Sequence, residues 1–161
     1  MTIKADATII FSRLPEISPD KIMAHMNDPR VAEHMPLLTA KSDQRSVAEF
    51  VMAKEACRQR DGLGHWAILC DKACVGWGGF QKEGDEWDFG LVLRPEFLGL
   101  GQRITRQAIA VAKADTRIAF VTFLLPPTRT RLGGLARLGA RFVDDISYDG
   151  ATFMKYRLDT A

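Results

Sequence analysis

The sequence predicts an α+β fold: a mixed α/β sheet, mostly antiparallel, with helices on both of its faces. Two observations predict it. After residue 64 the apolar residues change from helical spacing to the alternation typical of strands, and a meander of short strands follows. A strand–helix–strand unit and a final hairpin complete the chain. No repeat or linker divides the 161 residues, so we expect one domain over 1–161.

The N-terminal third predicts one strand and three helical segments. They are the strand 7–14 and the helical segments 18–26, 30–35 and 42–60. Ser18 is placed as the N-cap of the first helix and Pro19 at its first position, the arrangement that favours a helix start. Ser46 and Glu49 match a capping box, so the third segment could instead begin one turn later.

The rest of the chain predicts six strands and two helices. The strands are 65–70, 74–81, 86–93, 118–125, 140–146 and 152–159, and the helices are 101–114 and 129–138. Within the first of these helices Ile104, Ala108 and Val111 share one face, which we expect to be buried. The pair Gly133-Gly134 lowers the helical propensity of the second.

Composition places the chain among soluble globular proteins. Hydrophobic residues make up 47% and charged residues 26%, and no apolar run has the length of a signal peptide or a membrane span. We therefore expect a cytoplasmic protein with no membrane partner. Three cysteines without a CxxC pair argue against disulfides and against a metal site, and Cys70 and Cys74 are expected on neighbouring strands.

Positive charge is concentrated in one segment. Residues 94–141 contain nine Arg and Lys against two acidic residues, a net charge of +7 that leaves −5 for the rest. Beside a glycine turn this charge favours an anionic ligand such as phosphates, although a solvated face on two helices is the simpler alternative. The basic residues are not interleaved with aromatic residues, which disfavours nucleic acid as a partner.

The segment 88–114, DFGLVLRPEFLGLGQRITRQAIAVAKA, is the most informative one. It reads as a strand, a proline corner, two glycines (Gly99 and Gly101) and an amphipathic helix. A helix that opens on such a turn directs free N–H groups and its positive dipole end toward an anion. The P-loop pattern is absent, and Ile104 stands where a dinucleotide fingerprint needs glycine or alanine.

Residues 88–103 resemble the acyl-CoA-binding segment of the GNAT acetyltransferases, in which a strand and Pro-Glu-aromatic precede Arg-Gly-x-Gly-x-Gly. Three further stretches extend the resemblance over nearly the whole chain. HWAILCDKACVGWGGF resembles the preceding hairpin, TRTRLGGLARLGARF the late Asn-x-x-Ser signature, and NDPRVAEHMP the branch that acetylates ribosomal-protein N-termini. The resemblance implies a single-domain acyl-CoA N-acyltransferase (GNAT) fold with acetyl-CoA as co-substrate.

The resemblance also implies the residues that bind acetyl-CoA. They are the backbone of Leu91, Val92 and Leu93, where a bulge splays the strand from its neighbour, the turn residues Leu98, Gly99, Leu100, Gly101, Gln102 and Arg103, and Thr128 and Arg131. Four of these depart from the family pattern. Leu98 replaces Arg or Gln, Thr128 replaces Asn and Arg131 replaces Ser. Arg103 replaces Gly or Ala, and would either obstruct the phosphates or, rotated outward, neutralise them.

The catalytic residues implied by the resemblance are Asp88 and His34. Asp88 takes the position of a strand glutamate that accepts the proton of the amine, although a surface strand residue is the alternative. His34, in the segment that resembles acceptor-binding helices, is the second candidate base. Leu135 stands where many relatives carry a tyrosine that protonates the leaving thiolate. Trp77 and Trp87 are either core residues or walls of an acceptor pocket.

Two functions follow from the sequence. The first is an N-acetyltransferase that moves an acetyl group to a primary amine, either a peptide N-terminus or a small molecule. The second is a catalytically impaired protein of the same fold that binds CoA, another ligand or a partner without turnover. Because members of the family often pair, a homodimer is one expected assembly.

Overall fold

The computed structural model describes residues 5–33, 35 and 41–160. The strands are β1 Ile9–Arg13, β2 His65–Cys70, β3 Ala73–Glu83, β4 Glu86–Leu93, β5 Phe120–Leu125, β6 Arg141–Tyr148 and β7 Ala151–Asp159. The helices are α1 Pro19–Met26, α2 Pro29–Ala32, α3 Gln44–Asp61, α4 Gly101–Lys113 and α5 Gly133–Leu138, with 3₁₀ helices at Leu14–Glu16 and Pro95–Leu100.

The seven strands form one sheet in the order β1-β2-β3-β4-β5-β7-β6. Every neighbouring pair is antiparallel except β4 and β5, which are parallel. The predicted mixed, mostly antiparallel sheet is therefore confirmed. Cys70 and Cys74 lie on the neighbouring strands β2 and β3, as predicted, and both are free thiols.

The helix starts differ from the predictions by two residues or more in two places, and α2 covers Pro29–Ala32 where 30–35 was predicted. Asp43 caps α3: its carboxylate accepts a hydrogen bond from the Ser46 N–H at 2.8 Å, and the Ser46 hydroxyl accepts one from the Asp43 N–H at 2.8 Å. Ser46 is therefore the third helical residue of a capping box and not the cap. The last predicted helix, 129–138, begins only at Gly133, because Arg129 is held in a turn by the Pro126 carbonyl.

Helices cover both faces of the sheet. The α1–α3 layer packs on one face around Leu14, Val47 and Trp77, and α4 packs on the other against β4 and β5. The buried residues of α4 are Ile104, Thr105, Ala108, Ile109 and Ala112. Val111, predicted to be buried, is exposed because the buried face of α4 passes through Ala112 instead.

The parallel pair β4–β5 separates partway along its length. Pairing is limited to Trp87 with Val121 and Asp88 with Thr122, although the two strands run on to Leu93 and Leu125. Between residues 89–93 of β4 and 123–125 of β5 there is consequently a wedge, which we call the strand groove. The expected bulge in β4 is wrong, since its register with β3 is unbroken from Glu86 to Leu93.

Candidate active site

Asp88 lies at the closed end of the strand groove. Its carboxylate accepts a hydrogen bond from the Thr122 hydroxyl at 3.1 Å, across the last pair that joins β4 to β5. The side chain is half-buried in a small cavity of about 90 Å³. The cavity is lined by Glu83, Glu86, Asp88, Thr122, Leu124, Ile146, Tyr148 and Lys155. Asp88 is thus not a simple surface residue of a strand.

The surroundings of Asp88 raise the pKa of its carboxyl group. Burial, the largest effect, and the nearby charge of Glu83 raise the pKa of its carboxyl, and the net value is about 7. The Thr122 hydrogen bond and the charge of Lys54 act in the opposite direction. A carboxylate whose pKa matches the ambient pH is suited to general base catalysis.

A chain of polar side chains borders the cavity. Lys54 of α3 donates to the Gln81 side-chain oxygen at 2.7 Å, and the Gln81 amide donates to Glu83 at 2.7 Å. The Tyr148 hydroxyl donates to the same Glu83 oxygen at 2.8 Å, which raises the pKa of Tyr148 to about 12. At the cavity Glu83 therefore accepts hydrogen bonds from both Gln81 and Tyr148.

The backbone of the glycine turn makes more internal hydrogen bonds than the sequence predicts. The 3₁₀ helix Pro95–Leu100 runs directly into α4, and the Gly101 N–H donates to the Leu98 carbonyl. The expectation of a free N–H is therefore wrong for Gly101. A side-chain carbon added at Gly101 would meet only a Leu93 methyl group, at 3.9 Å, so the space beside this residue is open. Leu98 is 62% exposed at the turn.

Gln102 connects the start of α4 to α5. Its amide nitrogen is 3.5 Å from the Gly134 carbonyl oxygen, and its oxygen accepts a hydrogen bond from Arg137 at 3.3 Å. Thr128 and Arg131 lie on the exposed segment between β5 and α5. Because parallel strands end at the same edge of a sheet, the two predicted cofactor segments both follow the open end of the strand groove.

Comparison with known proteins agrees with this geometry. A protein-family model described as an acetyltransferase (GNAT) domain matches residues 11–141. The chain belongs to the GNAT acetyltransferase family. A search of curated protein sequences finds no match.

Solved GNAT structures share the fold over nearly the full chain. RimL, the ribosomal L7/L12 alpha-N-protein acetyltransferase in complex with coenzyme A, has a TM-score of 0.75 at 15% identity, covering 98% of this chain and 97% of its own. Spermidine N-acetyltransferase from Vibrio cholerae, in complex with CoA and spermine, has a TM-score of 0.73 at 8% identity, with 98% and 97% covered. The aminoglycoside acetyltransferase AAC(6')-Ib, in complex with coenzyme A and kanamycin, has a TM-score of 0.73 at 13% identity, covering 96% of this chain and 95% of its own.

Within the GNAT fold the Arg103 side chain has a partner in the protein itself. Its guanidinium donates to the carbonyl oxygen of Ala7, just before β1, at 2.7 Å. The side chain therefore anchors the chain entering the sheet. This contact shows how the fold accommodates an arginine where GNAT sequences usually have glycine or alanine.

Other predicted residues of the GNAT site have different outcomes. Leu91, Val92 and Leu93 lie on the part of β4 that faces the strand groove without pairing to β5. His34 lies outside the described residues. Trp77 and Trp87 are core residues, each only 3% exposed, and so are not walls of a pocket.

Two features are absent from the described residues. No helix there is long and apolar enough to span a bilayer. No group of three or more His, Cys, Asp or Glu in the same part of the chain could hold a metal ion.

Proposed function

We propose that this protein is an acetyl-CoA-dependent N-acetyltransferase that acetylates a primary amine. The observation that carries the proposal is the position of Asp88, a carboxylate with a pKa of about 7 at the closed end of the strand groove. A strand groove that ends on a general base provides the two elements that amine acylation needs, alignment of the reactants and removal of a proton.

The strand groove fits the acyl-CoA. The edge of β4 over Leu91, Val92 and Leu93 has no β5 partner, so its backbone groups can hydrogen-bond to an extended ligand. The glycine turn and the segment carrying Thr128 and Arg131 would hold its phosphates, helped by the net charge of +7 in residues 94–141. The CoA complexes of the structural neighbours support this placement.

Asp88 supplies the proton transfer. A primary amine is largely an ammonium ion at neutral pH and cannot attack until it loses a proton. The Asp88 carboxylate accepts that proton, directly or through a water molecule, and the Thr122 hydroxyl fixes its orientation. When bound, acetyl-CoA supplies the activated acyl group. Both peptide N-termini and small amines are candidate acceptors, since the neighbours include RimL and a spermidine acetyltransferase.

One observation favours the second candidate, a GNAT-fold protein that binds without turnover. The Gly101 N–H, which would serve a phosphate, already donates to the Leu98 carbonyl. Acetyl-CoA would have to compete with this bond. Leu98 also lacks the hydrogen-bond donor that arginine or glutamine would provide at this position of the turn.

A thermal melt with 1 mM acetyl-CoA, and with 1 mM ATP as a phosphate-bearing control, tests binding. Ligand at about a hundred times its Kd adds roughly 2.7 kcal/mol, which raises Tm by about 5–10 °C for a chain of this size. Thiol release with spermidine, kanamycin and a seryl peptide then tests turnover. A Tm rise without thiol release supports the second candidate. No Tm rise contradicts the N-acetyltransferase and leaves the second candidate only as a protein that binds a ligand or partner other than acetyl-CoA.

A further inference from the structure

The face of β4 that carries Asp88 has an open position at Gly90. A side-chain carbon added there would meet a single described atom within 4 Å, the Nε2 of His65 at 3.9 Å. Glycines of β3 are different: a carbon added at Gly76 or Gly78 would lie 2.1 and 2.6 Å from a carbonyl oxygen of β4. Close packing therefore explains Gly76 and Gly78 but not Gly90.

His65 reaches this position from two strands away. On β2 it is in register with Gly79 of β3, which is in register with Gly90 of β4. Because neither glycine has a side chain, the imidazole can lie across β3 with Nε2 beside Gly90. Its Nδ1 is buried and has no hydrogen-bond partner among the described residues.

The imidazole of His65 is neutral. Burial, and then the positive charges of Lys54 and Arg58 on α3, lower its pKa to about 3. The carboxyl group on this stretch of the sheet is that of Asp88, two residues from Gly90 and about 7 Å along the strand. With its proton on Nδ1, a neutral imidazole offers the Nε2 lone pair to a donor and does not repel an ammonium ion.

We propose that His65 is a catalytic residue that holds the acceptor: its Nε2 accepts a hydrogen bond from the amine nitrogen lying over Gly90. The inference rests on the proposed function. After Asp88 has accepted the ammonium proton, the neutral amine forms its bond to the acetyl carbon. The thioester C–S bond breaks with its electron pair on sulfur, and the second proton lost by nitrogen passes to the departing CoA thiolate. His65 itself makes and breaks no covalent bond. It fixes the direction of the nitrogen lone pair, while the bare backbone at Gly90 gives the nitrogen room.

Two substitutions at His65 test the role. His65→Leu removes the acceptor atom, whereas His65→Gln keeps a hydrogen-bonding group at the distance of Nε2. Initial rates with spermidine, kanamycin and a seryl peptide are measured at fixed acetyl-CoA. For the amine that wild type acetylates, we expect KM to rise at least tenfold in His65→Leu and less than threefold in His65→Gln. In both variants we expect the KM for acetyl-CoA, and the rise in Tm that acetyl-CoA causes, to stay unchanged.

Gly90→Ala provides an independent variant, since a methyl group at 3.9 Å is an ordinary contact that the fold tolerates. We expect it to raise the amine KM at least fivefold with the same Tm as wild type. An unchanged amine KM in Gly90→Ala, or in a folded His65→Leu, overturns the role of His65 alone. A wild-type protein that acetylates none of the amines overturns the proposed function and this inference with it.

Discussion

Thr122 donates its hydroxyl hydrogen bond to Asp88 at the last residue pair that joins β4 to β5. The same pair marks the point where the two strands separate. The fold therefore places the candidate base at the closed end of the strand groove, and the neighbouring strand supplies the group that orients it. Separation of the strands and orientation of the base have one structural origin.

Asp88→Asn should lower kcat by at least a hundredfold and leave the acetyl-CoA shift in Tm intact. The amide has the same shape as the carboxyl group but cannot accept a proton. In wild type, log kcat/KM should rise with pH and level off above an apparent pKa of about 7. Full activity in Asp88→Asn, measured by thiol release, would exclude this residue as the base.

The same substitution should stabilise the fold at high pH. Folding raises the pKa of Asp88 from 3.8 to about 7, so the folded protein holds this proton more tightly than the unfolded chain does. Its contribution to the free energy of unfolding is full below about pH 4 and is lost as pH rises to about 7. At pH 8 Asp88→Asn should gain on the order of 2–4 kcal/mol in urea unfolding, with no gain at pH 4.

Thr122→Val should shift the pH–rate profile to higher pH. Valine has the shape of threonine but no hydroxyl, so the hydrogen bond that lowers the pKa of Asp88 is lost. We expect the apparent pKa of kcat/KM to rise by about 1–2 units, because one hydrogen bond to a charged group contributes about 1.5–3 kcal/mol and one pKa unit corresponds to about 1.4 kcal/mol. Thr105→Val on α4, a buried threonine away from the cavity, is the control. A profile that does not move would show that the hydroxyl does not act on the base.

Glu83→Gln should shift the pH–rate profile to lower pH. The negative charge of Glu83 raises the pKa of Asp88, and its carboxylate also accepts the Tyr148 hydroxyl. Removing that charge should lower the apparent pKa of kcat/KM, and should lower the pKa of Tyr148 toward 10 in ultraviolet titration. Glu49→Gln, an exposed glutamate on α3, is the matched control. A downward shift in both variants would indicate a general effect of net charge.

Local patterns explain which parts of the fold the sequence could predict. The bounds of β2 and β4 were predicted to the residue, because alternation and turn residues are encoded within a few positions. The sheet order is not local, and Thr122 and Tyr148 join the Asp88 cavity only because β5 lies beside β4 and the β6–β7 hairpin closes over it. Asp88 itself came from the resemblance to a family.

His65 shows the same limit more sharply. Its strand was predicted correctly, yet nothing in its neighbourhood along the chain distinguishes it from a core histidine. Its position depends on the coincidence of two glycines, Gly79 and Gly90, in register on successive strands. The hairpin turn alone does not give the first of these, because the register of β2 with β3 shifts between Ile68 and Leu69. The second requires β4 to be placed against β3 without a bulge.

Arg103→Ala distinguishes a structural role from a cofactor-binding role. The guanidinium donates to the Ala7 carbonyl at 2.7 Å, so its loss should lower the free energy of unfolding by about 1–2 kcal/mol, as for one hydrogen bond from a charged donor. With that partner satisfied inside the protein, the acetyl-CoA shift in Tm should stay the same as in wild type. Arg106→Ala, a neighbouring exposed arginine on α4, is the control for loss of one positive charge. A smaller acetyl-CoA shift in Arg103→Ala alone would mean that the guanidinium leaves Ala7 for the phosphates, and in that case the arginine compensates for the side chain missing at Leu98.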